Sequence, residues 1–386
     1  MDEQLIKVDA GLKGVIVGES KLSDVAEGGS LIYRGYDIND LAEHSSFEEV
    51  AYLLLRGELP TAPELKDFTE ELSQQRDLPS EVIKLFGLYP REAHPMDMLG
   101  TAVNFLSLYD HSQSDISYEA NIGRATSLIA KFPALVANSY RVAHGQPYVM
   151  PKAGKSQAWN FLYMLHGSEP DEQQVRLIDT TMILYAEHGT NASTYVSRCT
   201  ASTRSNLYSA VASGIGTLKG ELHGGANEKA MAMLLEIGDP ARAEEWVMDV
   251  LAENQRLKGS GEGQRRIMGF GHREYKHGDP RARILKRMGK ELLEGTPEYK
   301  WYELADTVEK VMAREKGLFP NVDFPCAYVY YGLGIPVELY TPMFAMSRIS
   351  GWSAHVIEQQ DNNVLVRPKV EYTGPAQRPY VPIDRR

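Results

Sequence analysis

The sequence predicts a mainly α-helical protein with only minor β-structure at the chain ends, and three observations carry this. Apolar residues recur at three- and four-residue intervals in run after run. Helix stop signals are followed within a few residues by helix start signals, which implies short joints. Period-two alternation is confined to Leu31–Tyr36 and Val364–Tyr372, too little for a sheet-based core.

The elements follow in order. Ser45 or Ser46 stands three residues before Glu48 or Glu49, the capping-box spacing, and Gly57 with Pro60 closes the apolar run between them. The next helix starts at once, with Thr61 three before Glu64, Pro63 in the first turn, and Leu65, Phe68 and Leu72 on one face. Similar runs predict helices at Pro79–Leu88, Pro95–Tyr109, Asn121–His144, Gln157–Leu165, Asp171–Glu187 and Thr203–Gly214. Others are expected at Asn227–Glu236, Ala241–Leu257, Pro280–Glu294, Glu298–Lys316 and Thr341–Gln360. No sequence repeat marks a solenoid. Glycine-rich Lys258–Gln264 reads as a flexible loop between two helices.

Composition bounds the function. The 386 residues carry 52 acidic against 41 basic side chains, a net charge of −11, which counts against nucleic acid or an anionic membrane as partner. No apolar stretch is long enough to span a bilayer, and the first residues lack the pattern of a secretory leader, so a cytoplasmic protein is expected. Cys199 and Cys326, the two cysteines, are far apart and read as reduced, buried thiols.

Candidate chemistry sits in the polar junctions between helical runs. These are Glu187-His-Gly-Thr-Asn191, His223-Gly-Gly-Ala-Asn227, Gly269-Phe-Gly-His-Arg273 and Asn321-Val-Asp-Phe-Pro325. His223 lies where a helix begins, and the partial positive charge there favours a neutral imidazole that donates one hydrogen bond; capping a turn is its other reading. From Arg265 to Lys286 seven basic residues face two acidic ones, an excess of five positive charges around His272 that suits an anionic ligand or a solvated helix face. Asp323, flanked by Phe-Pro pairs, is either a partly desolvated base or a helix cap. No metal-ligand spacing, dinucleotide fingerprint or nucleophile elbow is present, so no metal and no cofactor is expected.

Three motifs taken together, His223-Gly-Gly-Ala-Asn-Glu-Lys-Ala230, Ile267-Met-Gly-Phe-Gly-His-Arg273 and Pro320-Asn-Val-Asp-Phe-Pro325, closely resemble the citrate synthase family in its shorter bacterial and archaeal form. Matches at Ala186–Ala192 and in Ser347-Arg-Ile-Ser-Gly-Trp352 extend the likeness over nearly the whole chain. The resemblance implies a helical homodimer of two-domain subunits. A large domain comes from residues 1–222 and 328–386, and a mobile, CoA-binding small domain from 223–327. The last segment forms an arm to the partner subunit.

The implied reaction condenses acetyl-CoA with oxaloacetate and hydrolyses the thioester to citrate and CoA, the first step of the tricarboxylic acid cycle. His223, His272 and Asp323 match the catalytic trio. His188, Asn191, Arg281, Arg348 and Arg367 match oxaloacetate-binding positions, and Ile267, Gly269, Gly271, Lys276 and Lys316 match CoA-binding ones. Glu274 stands where similar motifs carry an apolar residue. The short start before Gly11 favours a dimer without the regulation of longer relatives. Two alternatives stay open: 2-methylcitrate synthase acting on propionyl-CoA, and a non-catalytic CoA- or carboxylate-binding protein on the same scaffold.

Overall fold

A computed structural model describes residues 11–12, 14–26, 29–258 and 263–386. The one sheet among the described residues is small: β1 (Ser23–Val25), β2 (Leu31–Tyr33) and β3 (Tyr36–Asp37) pair antiparallel in that order, with Ser23 opposite Tyr33. Arg34 and Gly35 join β2 to β3 with φ of 50° and 93°, the left-handed pair that a two-residue hairpin turn needs.

Sixteen α-helices follow among the described residues. The first ten are α1 (Ile38–His44), α2 (Phe47–Arg56), α3 (Ala62–Gln74), α4 (Ser80–Phe86), α5 (Pro95–Ser107), α6 (Tyr118–Ala143), α7 (Gln157–His166), α8 (Glu172–Tyr185), α9 (Ala192–Ser202) and α10 (Leu207–Leu218). The rest are α11 (Ala226–Ile237), α12 (Ala243–Leu257), α13 (Pro280–Leu293), α14 (Tyr299–Lys316), α15 (Asp323–Gly332) and α16 (Tyr340–Asp361).

The caps read from the sequence are in place. Ser46 accepts the Glu49 N–H at 3.2 Å, Thr61 and Glu64 close a capping box, and Gly57 ends α2 in the left-handed conformation. α16 is the axis of the molecule. It is buried along nearly its whole length and packs on α2, α6, α8, α9 and α10. Helices α11 to α15 pack largely on one another, α11 and α13 on α15 and α12 on α14, while α13 also reaches α1 and α8.

Some expectations shift. The helix expected at Thr203–Gly214 starts at Leu207, because Arg204 takes φ 63° and Asn206 caps the chain by accepting the Ser209 N–H at 2.9 Å. Helix α9 carries no apolar stripe. It forms because its small residues allow close packing on α10, where a Cβ on Gly214 would lie 2.6 Å from Ser197 Oγ. The alternating tail 364–372 forms no strand, since a strand needs a ladder partner and this segment is exposed. Residues 259–262 of the expected flexible loop lie outside the described residues. Cys199 and Cys326 are free thiols, half-buried and buried. Among the described residues no helix is long and apolar enough to cross a membrane.

Candidate active site

The loop of residues 267–273 is stitched to the segment that carries Asp323. Gly271 N–H donates to the Phe319 carbonyl and Asn321 N–H to the Gly269 carbonyl, both at 2.9 Å, while the Asn321 amide donates to the Gly271 carbonyl at 3.1 Å. Gly269 and Gly271 hold φ of 81° and 79°, and a Cβ on Gly269 would meet Phe324 Cβ at 2.6 Å. Only glycine permits this approach. Asn321 Oδ1 accepts the Asp323 N–H at 3.1 Å. Asn321, one residue before the N-cap Val322, thus serves the start of α15, and the Asp323 carboxylate bonds elsewhere.

That carboxylate accepts a 2.7 Å hydrogen bond from the Tyr185 hydroxyl. Burial pushes its pKa up to about 6, and the Tyr185 bond opposes the rise. Arg348, buried on α16, donates Nε to the Tyr185 carbonyl at 2.7 Å, so Tyr185 holds one group with its side chain and another with its backbone. No other hydrogen bond to Arg348 occurs among the described residues, which leaves its Nη groups for an anion.

His223 faces the start of α9. The Ser193 N–H points at its Nε2 from 3.4 Å, with Ser193 Oγ at 2.8 Å, so Nε2 accepts and Nδ1 carries the proton. Trp352 Nε1 fixes the serine from behind at 3.2 Å. The His223 pKa is lowered to about 4. The imidazole is neutral, and burial and then the Arg348 charge lower its pKa.

His188, His272 and Tyr275 form a third group, with ring centroids 4.6 to 5.4 Å apart. His188 Nε2 meets the Tyr275 hydroxyl at 2.8 Å, and Glu274 N–H donates to His272 Nδ1 at 3.1 Å, which puts the His272 proton on Nε2. Burial and the Arg281 charge lower the His272 pKa to about 4 and hold His188 well below the usual imidazole range. Arg281 is buried and clamped by Asp279 through Nε and Nη2 at 3.0 and 2.8 Å, and Asp279 also accepts the Val322 N–H at 3.1 Å. One carboxylate thus ties Arg281 to the Asp323 segment.

The remaining predicted residues divide. Asn191 caps α9, its Oδ1 accepting from the Thr194 N–H at 3.1 Å and lying 2.8 Å from Ser193 Oγ, so it braces the start of α9 beside Ser193. Ile267 is half-buried beside a cleft of about 520 Å³ whose lining includes Lys229, Trp246, Arg265 and Arg266. The Arg265 guanidinium lies 4.7 Å over the Trp246 ring. Lys276, Lys316 and Arg367 are exposed, and no hydrogen bond or ion pair joins them to the buried site among the described residues. Among those residues no three His, Cys, Asp or Glu side chains are grouped to hold a metal.

Sequence reading missed Tyr185, Ser193, Tyr275 and Asp279. Asp279 before Pro280 is an N-cap signal; the others lie 30 or more residues from the partners they serve, or inside ordinary-looking helices.

Fold and site together describe a mostly helical protein in which a partly buried carboxylate, neutral histidines and two buried arginines are brought together. The citrate synthase C-terminal domain family matches residues 11–369, and the chain belongs to the citrate synthase family. It is 45% identical to citrate synthase 2 of Bacillus subtilis over 97% of this chain and 98% of that one. It is 42% identical to 2-methylcitrate synthase of Mycobacterium tuberculosis, over 96% and 92% of the two chains. Among solved structures, a ternary complex of carboxymethyl coenzyme A and oxaloacetate with citrate synthase from Thermoplasma acidophilum matches with TM-score 0.89 at 34% identity, covering 98% of this chain and 99% of that one.

Proposed function

We propose that this chain condenses acetyl-CoA with oxaloacetate and hydrolyses the product to citrate and CoA. The observation that carries the reading is the convergence of three protonation states. Asp323 is a carboxylate with its pKa raised to about 6, and His223 and His272 are neutral and turn Nδ1–H and Nε2–H, respectively, to a ligand. Asp323 takes a methyl proton from the thioester while His223 Nδ1–H stabilises the enolate oxygen, which makes removal of so weak an acid feasible. The enol carbon then bonds to the ketone carbon of oxaloacetate, and His272 Nε2–H meets the charge that develops on the ketone oxygen. Water cleaves the thioester and CoA leaves as the thiol.

Arg281, Arg348 and His188 hold the oxaloacetate carboxylates, and Arg367 reaches in from the partner of a homodimer. The cleft beside Ile267, with Gly269 and Gly271 as its turn, takes the CoA nucleotide, and Lys276 and Lys316 meet its phosphates. Residues 223–327 act as the mobile small domain, a division supported by helices α11 to α15 packing largely on one another. No cofactor and no metal takes part. The reaction opens the tricarboxylic acid cycle in the cytoplasm.

Propionyl-CoA is the second reading, supported by the 2-methylcitrate synthase relative at 42% identity. One methylene in an apolar pocket is worth about 1–3 kcal/mol, so the choice rests on small packing differences. Thiol release is measured with and without oxaloacetate for both thioesters. Oxaloacetate-dependent release with the higher kcat/KM for acetyl-CoA is expected. Preference for propionyl-CoA selects the second reading, and release from neither thioester overturns both.

A further inference from the structure

The only sheet of the described residues lies against the turn that carries His188, and its residues hold that turn on both sides. Ser23 Oγ accepts the Gly189 N–H at 2.8 Å and donates to Glu187 Oε1 at 2.9 Å. Its cross-strand partner, Tyr33, donates to the Glu187 carbonyl at 2.7 Å. The residues before and after His188 are therefore held by β1 and β2 as well as by Asn191 at the start of α9, whose N–H donates to the Gly189 carbonyl at 3.0 Å.

Glu187 is wholly buried, and the bonds around it explain how a charge is kept there. Arg198 Nη1 donates to His355 Nδ1 at 3.0 Å, so His355 Nε2 carries a proton and donates it to Glu187 Oε1 at 2.9 Å. The Glu187 carboxyl is held below its usual range by His355, Arg348 and Ser23 in spite of burial, and it stays ionised. Arg198 continues to Glu358 at 2.7 Å, and Glu358 accepts the Lys21 N–H at 2.8 Å, which returns the chain of bonds to the segment before β1. Gly351 sits against the Glu187 carboxylate and the Ala186 carbonyl, where no side chain fits.

We propose that Ser23 is a positioning residue for substrate binding, acting through the Glu187–Gly189 turn to aim His188 at the oxaloacetate carboxylate. The inference rests on the oxaloacetate reading of the site. Ser23 touches no substrate; it supplies the one hydroxyl that is both acceptor for Gly189 and donor to Glu187. Alanine satisfies neither role, whereas threonine keeps the hydroxyl and suits a strand. A binding group displaced by a fraction of an ångström loses much of its effect.

The test uses the full-length enzyme in three forms, wild type, Ser23→Ala and Ser23→Thr, with KM measured separately for oxaloacetate and acyl-CoA and oxaloacetate binding measured by calorimetry. Ser23→Ala is expected to raise the oxaloacetate KM by about tenfold with the acyl-CoA KM within about twofold, and Ser23→Thr to restore it. In a His188→Ala background, Ser23→Ala is expected to add less than about twofold, because the two act as one unit. A lower melting temperature with both KM values unchanged, or equal rises in both, overturns the proposal. If the wild type releases thiol with no dependence on oxaloacetate, the function reading fails first and this inference falls with it.

Discussion

Replacing Tyr185 with phenylalanine removes one oxygen atom and leaves the ring against Phe344, 4.5 Å between centroids. The Arg348 bond to the Tyr185 carbonyl survives, because it is made to backbone. What is lost is the 2.7 Å hydrogen bond to Asp323. A bond to an ionised group contributes about 1.5–3 kcal/mol, and it favours the carboxylate over the acid. At 1.36 kcal/mol per pKa unit, the Asp323 pKa moves up from about 6 by about one to two pH units. At pH 7 the base then falls from about nine-tenths ionised to between about one-tenth and one-half. The assay is thiol release against pH from 5 to 9. The acid limb of kcat is expected to shift upward by that amount, a loss of about two- to tenfold at pH 7 that recovers by pH 9. An unmoved acid limb, with activity reduced equally at every pH, would refute the assignment of Asp323 as the base or of Tyr185 as its partner.

Asp323→Ala is expected to lower thiol release by about 10²–10⁴-fold while calorimetry still shows oxaloacetate binding, since the loss falls on proton abstraction alone. Gly269→Ala places a Cβ 2.6 Å from Phe324 Cβ at a φ of 81°, so a lower melting temperature is expected together with lower activity, because Phe324 adjoins Asp323. Stability is expected to fall as pH drops from 6.5 toward 4, where the unfolded chain protonates His223 and His272 while the folded chain, with pKa values near 4, does not. Each contributes on the order of 3 kcal/mol, and His188 adds in the same direction. Asp323 and Asp179 have the opposite sign: burial raises them from 3.8 to about 6 and about 7, so the folded chain binds their protons in that window and part of the loss is offset. Urea unfolding at pH 7, 5.5 and 4.5 reads the balance, and a midpoint that rises as pH falls would contradict it.

Most of the helices, their caps and the loop glycines were legible in the amino-acid order because each is decided within a few residues. Ser46 caps with Glu49, Gly57 turns left-handed, and Gly269 and Gly271 sit three and one residues before His272. The polar junctions carrying His188, His223, His272 and Asp323 were visible for the same reason. Their meeting was not, since it is made by long-range packing: Tyr185 serves Asp323 from 138 residues away, and Ser193 serves His223 from 30. The sequence left Asp323 open between base and cap, and in the fold it is Asn321 Oδ1 that accepts the Asp323 N–H at the start of α15. Burial, with Arg348 beside His223 and Arg281 beside His272, lowers both histidines, a cause that the amino-acid order does not show. Local order determined which groups are available; desolvation and charge, which exist only once distant segments enclose them, decided their protonation states and which way each one donates.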